Sequence, residues 1–151
     1  MKALSMWDPW ASLVAIEAKR YETRSWATSY RGPIAIHSTK KFDEEDRSIC
    51  LCEPFRSALV AGGIKTLGDM PRGAIIAVGR LVRIARAEDE RASLSEKERA
   101  FGDYSDGRFA WVFADVRRLP EPVPYSGLQG LWTVPLAVVA RVEEQLRGVP
   151  A

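Results

Sequence analysis

The longest apolar run of the chain, Ala74 to Ala87, carries Ile75, Ile76, Val78, Leu81, Val82 and Ile84. It reads as a strand, because branched side chains fit a pleated surface. A second run, Phe109-Ala110-Trp111-Val112-Phe113-Ala114-Asp115-Val116, reads as an aromatic strand. Shorter strands are read at 2–6, 20–26 and 34–38, with another at 131–134. Strands thus outnumber helices, and the helical signals are inserted between them without regular alternation. That order favours an α+β fold, a small and partly closed β-barrel with helices at its rim, over a doubly wound sheet.

The helical signals are local. Asp8-Pro9 marks a start, since Asp accepts orphan backbone N–H groups and Pro suits the first helical position. Trp10, Leu13 and Val14 fall at i, i+3 and i+4, and this helix is expected to run to about residue 18. Tyr30-Arg31-Gly32-Pro33 is turn chemistry. Asp43 opens a helical segment that Pro54 breaks and Gly62-Gly63 ends. Ser95 with Glu98 fits a capping box for a short helix to about Ala100. Residues 120–130, with three prolines and two glycines, read as a loop. Pro135 starts a C-terminal helix whose stripe is Leu136, Val139, Val142 and Leu146. With 151 residues, no repeat and no linker, the chain reads as a single domain over 1–151.

Composition narrows the function. A net charge of +2 argues against a dedicated duplex-DNA binder, which needs a strongly basic face. A small nucleotide or short RNA segment remains compatible. The only cysteines, Cys50 and Cys52, have a single residue between them and fit neither a CxxC redox nor a zinc motif. A lone histidine, His37, cannot build a metal site by itself, so no metal and no cofactor is expected. No stretch approaches the ~18 apolar residues of a membrane span, and the N-terminus lacks a signal-peptide core. The expected location is the cytoplasm. The sequence leaves the oligomeric state open.

Residues 19–26, Lys-Arg-Tyr-Glu-Thr-Arg-Ser-Trp, concentrate chemistry. In a strand of period two, Glu22, Arg24 and Trp26 share one face. Trp7 and Trp10 lie just upstream. Indoles beside an acid and two bases suit a pocket for a flat polar ligand such as a nucleobase. Trp26 is the foremost stacking candidate, with Trp7 and Trp10 beside it, whereas Trp111 and Trp132 are read as core. Lys19 is either a phosphate clamp, a base of lowered pKa, or a solvated lysine offsetting a helix dipole. Glu22 and Arg24 form an ion pair across the cleft mouth, or Glu22 accepts from a base amino group or moves a proton. His37 is either a general base or a buried, hydrogen-bonded strand residue. Ser25 is a neighbouring polar contact without a serine-hydrolase context. Thr23 is expected to point away from Glu22. Arg31, Lys40, Lys41, Arg80, Arg83 and Arg86 either contact phosphates or form a solvated edge.

Lys19-x-x-Glu22-x-Arg24 with Ser25-Trp26 resembles the GxKxxExR signature of ASCH domains, which belong to the PUA-like superfamily. The opening ALSMWDPWASL, the segment Arg31-Gly32-Pro33-Ile34-Ala35-Ile36-His37 and Gly127-Leu128-Gln129-Gly130-Leu131-Trp132 are similar to that family as well, in the family's order. Glu17 stands where the family has its leading Gly. It either takes a different turn or narrows the pocket. The resemblance implies a PUA-like barrel with a cleft for a nucleoside, nucleotide or single-stranded RNA, lined by Lys19, Glu22, Arg24 and Trp26, with Gln129 reading a base edge. One branch of the family hydrolyses the amide of N4-acetylcytidine with a Lys, a Thr and a Glu. Lys19 matches that Lys, and Glu22 occupies the position of that Thr. Other members are ribonucleases. Three readings follow: a binding domain, a hydrolase (amidohydrolase or metal-independent ribonuclease, with Lys19 and Glu22 and optionally His37 as its groups), and a ligand-sensing regulatory module.

Overall fold

The computed structural model describes residues 1–150. It has six strands, β1 (Lys2–Met6), β2 (Tyr21–Arg24), β3 (Gly32–Ser38), β4 (Ala74–Arg86), β5 (Phe109–Pro124) and β6 (Leu131–Thr133). The helices are α1 (Trp10–Ala15), α2 (Glu44–Cys50), α3 (Phe55–Ala61), α4 (Ala87–Glu90), α5 (Glu96–Ala100) and α6 (Leu136–Leu146). The strands form one sheet in the order β2-β5-β4-β3-β1-β6, and only β1 and β3 pair in parallel. The α+β class and the partly closed barrel expected from the sequence are present.

The sheet curls because its two long strands cannot lie flat. Fully extended, the 16 residues of β5 would span about 53 Å. A domain of this length has a radius of gyration of about 15 Å. The β4–β5 pairing therefore slips three times, between Ile75 and Ala77, Val78 and Arg80, and Leu81 and Arg83. Each irregularity adds bend and twist. Asp115 sits in this stretch at φ 52°, a left-handed conformation unusual for a side-chain-bearing residue.

Both faces of the sheet are covered, which is why Ile34-Ala35-Ile36 reads as an unbroken apolar run. On one face Leu4, Ile34, Ile36, Ile76, Leu81, Trp111 and Phe113 pack against Ala11, Val14 and Ala15 of α1. On the other, Ala3, Ala35, Ile75, Val78, Leu119 and Val123 pack against Val138 and Val142 of α6. A third cluster joins Leu13 to Leu59, Ile64, Met70 and Phe101, and seats α3 against α1.

Several local expectations change. α1 ends at Ala15, not near residue 18. Glu17 then takes φ 62°, and Glu17 and Ala18 donate to the carbonyls of Val14 and Leu13. This is a Schellman stop with Glu in the position that Gly normally fills. Glu17 thus adopts the turn expected of Gly and points to solvent. Asp8 does not occupy the N-cap, which falls to Pro9. Its Oδ1 instead accepts from the N–H (2.9 Å) and hydroxyl (2.7 Å) of Ser12. Gly32 and Pro33 lie inside β3. Residues 120–124 are strand, not loop. Their prolines are tolerated because β2 pairs only with residues 109–112 and leaves that edge of β5 free. Leu136 is 88% exposed, and α6 buries Val138 and Val142 in its place. Ser95 caps α5 as expected, but the Glu98 carboxylate turns away and accepts from the N–H of Arg20. Among the described residues, no helix is long and apolar enough to cross a membrane.

Candidate functional site

A cavity of about 1080 Å³ opens where β1 and β3 end. Pockets for drug-sized ligands run to about 1,000 Å³. This one has room for more than a single base. Its lining includes Trp7, Trp10, Glu22, Arg24, Trp26, His37 and Lys40.

The charged floor comes from β2, which is only four residues long and ends at Arg24 because β5 begins at Phe109 opposite it. Trp26 therefore lies beyond the strand. Lys19 is 1% exposed, and its Nζ donates to Glu22 Oε1 at 3.0 Å and to the Tyr21 carbonyl. Arg24 Nη2 donates to Glu22 Oε2 at 3.1 Å and to the Ser5 carbonyl at 2.7 Å. A cation thus grips each oxygen of one buried carboxylate. Burial alone would raise the Glu22 carboxyl, but Lys19 and Arg24 hold it below the usual range. Glu22 is therefore an ionised acceptor at neutral pH. Lys19 does not line the cavity; it stands behind Glu22. Arg24 Nε is buried without a partner. The floor thus places a carboxylate and a guanidinium side by side, and both residues line the cavity.

The aromatic walls are held by packing. Trp26 meets Trp111 edge to face at 4.8 Å, and the Trp111 indole N–H donates to the Trp26 carbonyl at 3.1 Å. Trp111 is fully buried, as expected of a core residue, and fixes Trp26 against the cavity. Trp10 leans on Phe55. Trp7 is 52% exposed at the rim, with the Lys41 ammonium 3.6 Å above its ring.

His37 also lines the cavity and is 2% exposed. Its Nε2 lies 2.7 Å from the Tyr125 carbonyl. A carbonyl only accepts, so Nε2 carries the proton and Nδ1 bears the lone pair. Burial lowers its pKa, against the raising effect of that carbonyl, and keeps the ring neutral. Nδ1 has no partner.

The remaining sequence candidates are scattered. Gln129 and Lys40 line the cavity. Ser25 is exposed and outside it. Arg31 donates to the carbonyls of Thr28 and Tyr30 in its own loop. Arg80, exposed, sits opposite Pro33, and Arg86 lies over Phe109. Neither reaches the cavity. Thr23, expected to point away from Glu22, lines the same cavity and accepts from the N–H of Asp103. Sequence reasoning missed Ser5, Thr39, Asp103 and Arg108. Among the described residues no cluster of three or more His, Cys, Asp or Glu side chains is arranged to hold a metal ion.

The sequence matches the ASCH domain family over residues 4–123. The chain belongs to the ASCH domain family. It is 26% identical over 129 residues to Activating signal cointegrator 1 of Mus musculus and of Homo sapiens. The match covers 85% of the chain but 21% of those proteins, so the chain spans about a fifth of their length. A crystal structure of ASCH from Zymomonas mobilis superposes with a TM-score of 0.57 at 13% identity, covering 99% of this chain and 95% of that one. The ASCH fold is thus shared well beyond sequence similarity. The Lys19-x-x-Glu22-x-Arg24 motif that suggested the family is the same stretch that builds the cavity floor.

Proposed function

We propose that this ASCH domain binds a nucleoside or a segment of single-stranded RNA in the cavity. The observation that carries the reading is the clamped Glu22 carboxylate beside the Arg24 guanidinium, both lining a space walled by Trp26. A nucleobase edge pairs donors with acceptors, and its face stacks on an indole. Single-stranded RNA is commonly recognised in this manner, with bases splayed onto aromatics and read along their polar edges. The cavity volume suits a nucleotide rather than a bare base. Lys19 positions Glu22, and Lys40, which lines the cavity, supplies positive charge for a phosphate, whereas Lys41 is paired with Asp43 and Asp46.

Titration of the protein with N4-acetylcytidine and with a mixed-sequence RNA strand, read by tryptophan fluorescence, tests the reading. Trp26→Ala removes one stacking surface, worth about 1–3 kcal/mol. Affinity should fall at least fivefold, with circular dichroism unchanged. Unchanged affinity would sink the stacking role, and absence of binding to either ligand would sink the reading.

A second reading, a hydrolase acting on an acylated cytidine or a metal-independent ribonuclease, rests on His37. A neutral ring with an unengaged Nδ1 in a cavity has the form of a general base. Glu22, held ionised, is a poor proton donor, and Lys19 is occupied by two acceptors. Chromatography of both ligands after incubation, beside His37→Ala, decides between the readings. Product that vanishes in the variant makes the protein an enzyme. Binding without product leaves a binding or ligand-sensing domain.

A further inference from the structure

His37 Nδ1 does not stand alone. Ser5 and His37 are register partners in the parallel β1–β3 pair. The Trp132 indole N–H donates to Ser5 Oγ at 3.1 Å, so the Ser5 hydroxyl keeps its own proton to give. Gly127 of the loop preceding β6 lies over both. A Cβ built on Gly127 would fall 2.5 Å from Ser5 Oγ and 2.6 Å from His37 Nδ1. One bare acceptor and one free donor therefore converge on a single point. A hydroxyl is the group that satisfies both at once, donating to Nδ1 and accepting from Ser5.

The position of this pair decides which hydroxyl. Arg24, at the Glu22 end of the cavity, is bonded to the Ser5 carbonyl, so the pair adjoins the base-reading floor. Beyond His37 along the chain come Thr39, whose Oγ1 is also buried without a partner, and Lys40, both lining the cavity. The wall thus runs from a base edge, through a hydroxyl site, to an ammonium. That is the order of base, ribose and phosphate in a nucleotide.

We propose that Ser5 and His37 form a ribose-hydroxyl subsite that makes the cavity prefer ribonucleotides over deoxyribonucleotides. The inference rests on the reading of the cavity as a nucleotide site. The subsite is covered in the free protein, because Gly127 sits on it. Residues Ser126–Gly130 are all exposed, and among the described residues no hydrogen bond ties Ser126 to Gln129 to the rest of the protein. The loop can therefore lift as the ligand enters, at little cost in broken bonds. Gly127 is needed there because any side chain would strike the imidazole. The 2′-hydroxyl, both donor and acceptor, is the group by which proteins tell RNA from DNA.

The test compares two fluorescein-labelled strands of identical sequence, one ribose and one deoxyribose, with uracil in both. Binding is measured by anisotropy at one salt concentration for the wild type, His37→Gln and Ser5→Ala. The wild type should bind the ribose strand about tenfold more tightly, the range of one or two net hydrogen bonds. Each variant should lose most of that ratio while keeping its affinity for the deoxyribose strand. His37→Gln retains a donor for the Tyr125 carbonyl and replaces the ring acceptor by an amide oxygen, so where the two variants differ Ser5→Ala decides. Should His37→Gln fail to fold by circular dichroism, Ser5→Ala alone decides. Equal wild-type affinity for the two strands overturns the subsite and leaves the nucleotide site standing. A ratio that survives in the folded variants overturns it as well. Absence of binding to either strand overturns both.

Discussion

Replacing Lys19 with methionine separates a positioning lysine from a solvated one. The side chain is 1% exposed, and its ammonium holds Glu22 Oε1 at 3.0 Å and the Tyr21 carbonyl. Removing one partner of a buried ion pair costs about 3–5 kcal/mol. Arg24 still grips Oε2, so a loss of about 3 kcal/mol is expected, including the unpaired Tyr21 carbonyl. That is a large part of the roughly 5–15 kcal/mol that holds such a domain together. The assay is urea denaturation followed by circular dichroism at several pH values. Glu22 is depressed in the wild type, so its contribution is complete above its unfolded pKa and is lost as pH falls through the folded one. Without Lys19 the carboxyl rises. The stability gap between wild type and variant should therefore be widest at neutral pH and close in acid. The double variant Lys19→Met with Glu22→Gln should regain part of the loss, because it removes the uncompensated charge. A Lys19→Met loss below about 1 kcal/mol, or a double variant no better than the single, would refute the clamp.

Three further outcomes follow from particular side chains. Burial pushes the Asp8 carboxyl up to about 6 despite its bonds to Ser12, so the folded state holds that proton more tightly than the unfolded chain. Stability should fall as pH rises from about 4 to 6, by about 3 kcal/mol, and Asp8→Asn should flatten that slope in a series of melts. Gly127→Ala places a methyl against His37 and Ser5, and because among the described residues no hydrogen bond ties 126–129 to the rest of the protein the loop should lift off the pair, so the melting temperature should change little; a loss of about 1–3 kcal/mol, the cost of overpacking, would mean that the loop is held closed. Cys52 is exposed while Cys50 is buried with its thiol pushed up to about 11, so a thiol reagent should label one cysteine quickly and the second only on unfolding.

How much was legible in the chain differs between elements. The long strands, the α2–α3 break at Pro54 and the Asp43 cap are written in local pattern, and the structure has them. The 120–124 segment was hidden because three prolines mimic a loop, and only pairing shows that their missing N–H groups face an open edge. The Ser95 box was half legible: the serine caps, but a backbone N–H of Arg20, 78 residues away in sequence, takes the glutamate. Of the site, Lys19, Glu22, Arg24 and Trp26 stand in one short motif, whereas Ser5, Thr39, Asp103 and Arg108 are ordinary residues until folding gathers them.

The sequence by itself determined the class of fold and the location of its chemistry, since strand composition, caps and a compact motif act within a few residues of themselves. What each group can do was decided by tertiary structure. Lys19 became a buried clamp because the Schellman stop at Glu17 turns the chain inward behind Glu22. His37 became a neutral acceptor because burial disfavours its charged form and the carbonyl of Tyr125, brought back by the end of β5, fixes its one proton on Nε2. Protonation, exposure and direction depend on neighbours distant in sequence, and no local pattern carries them.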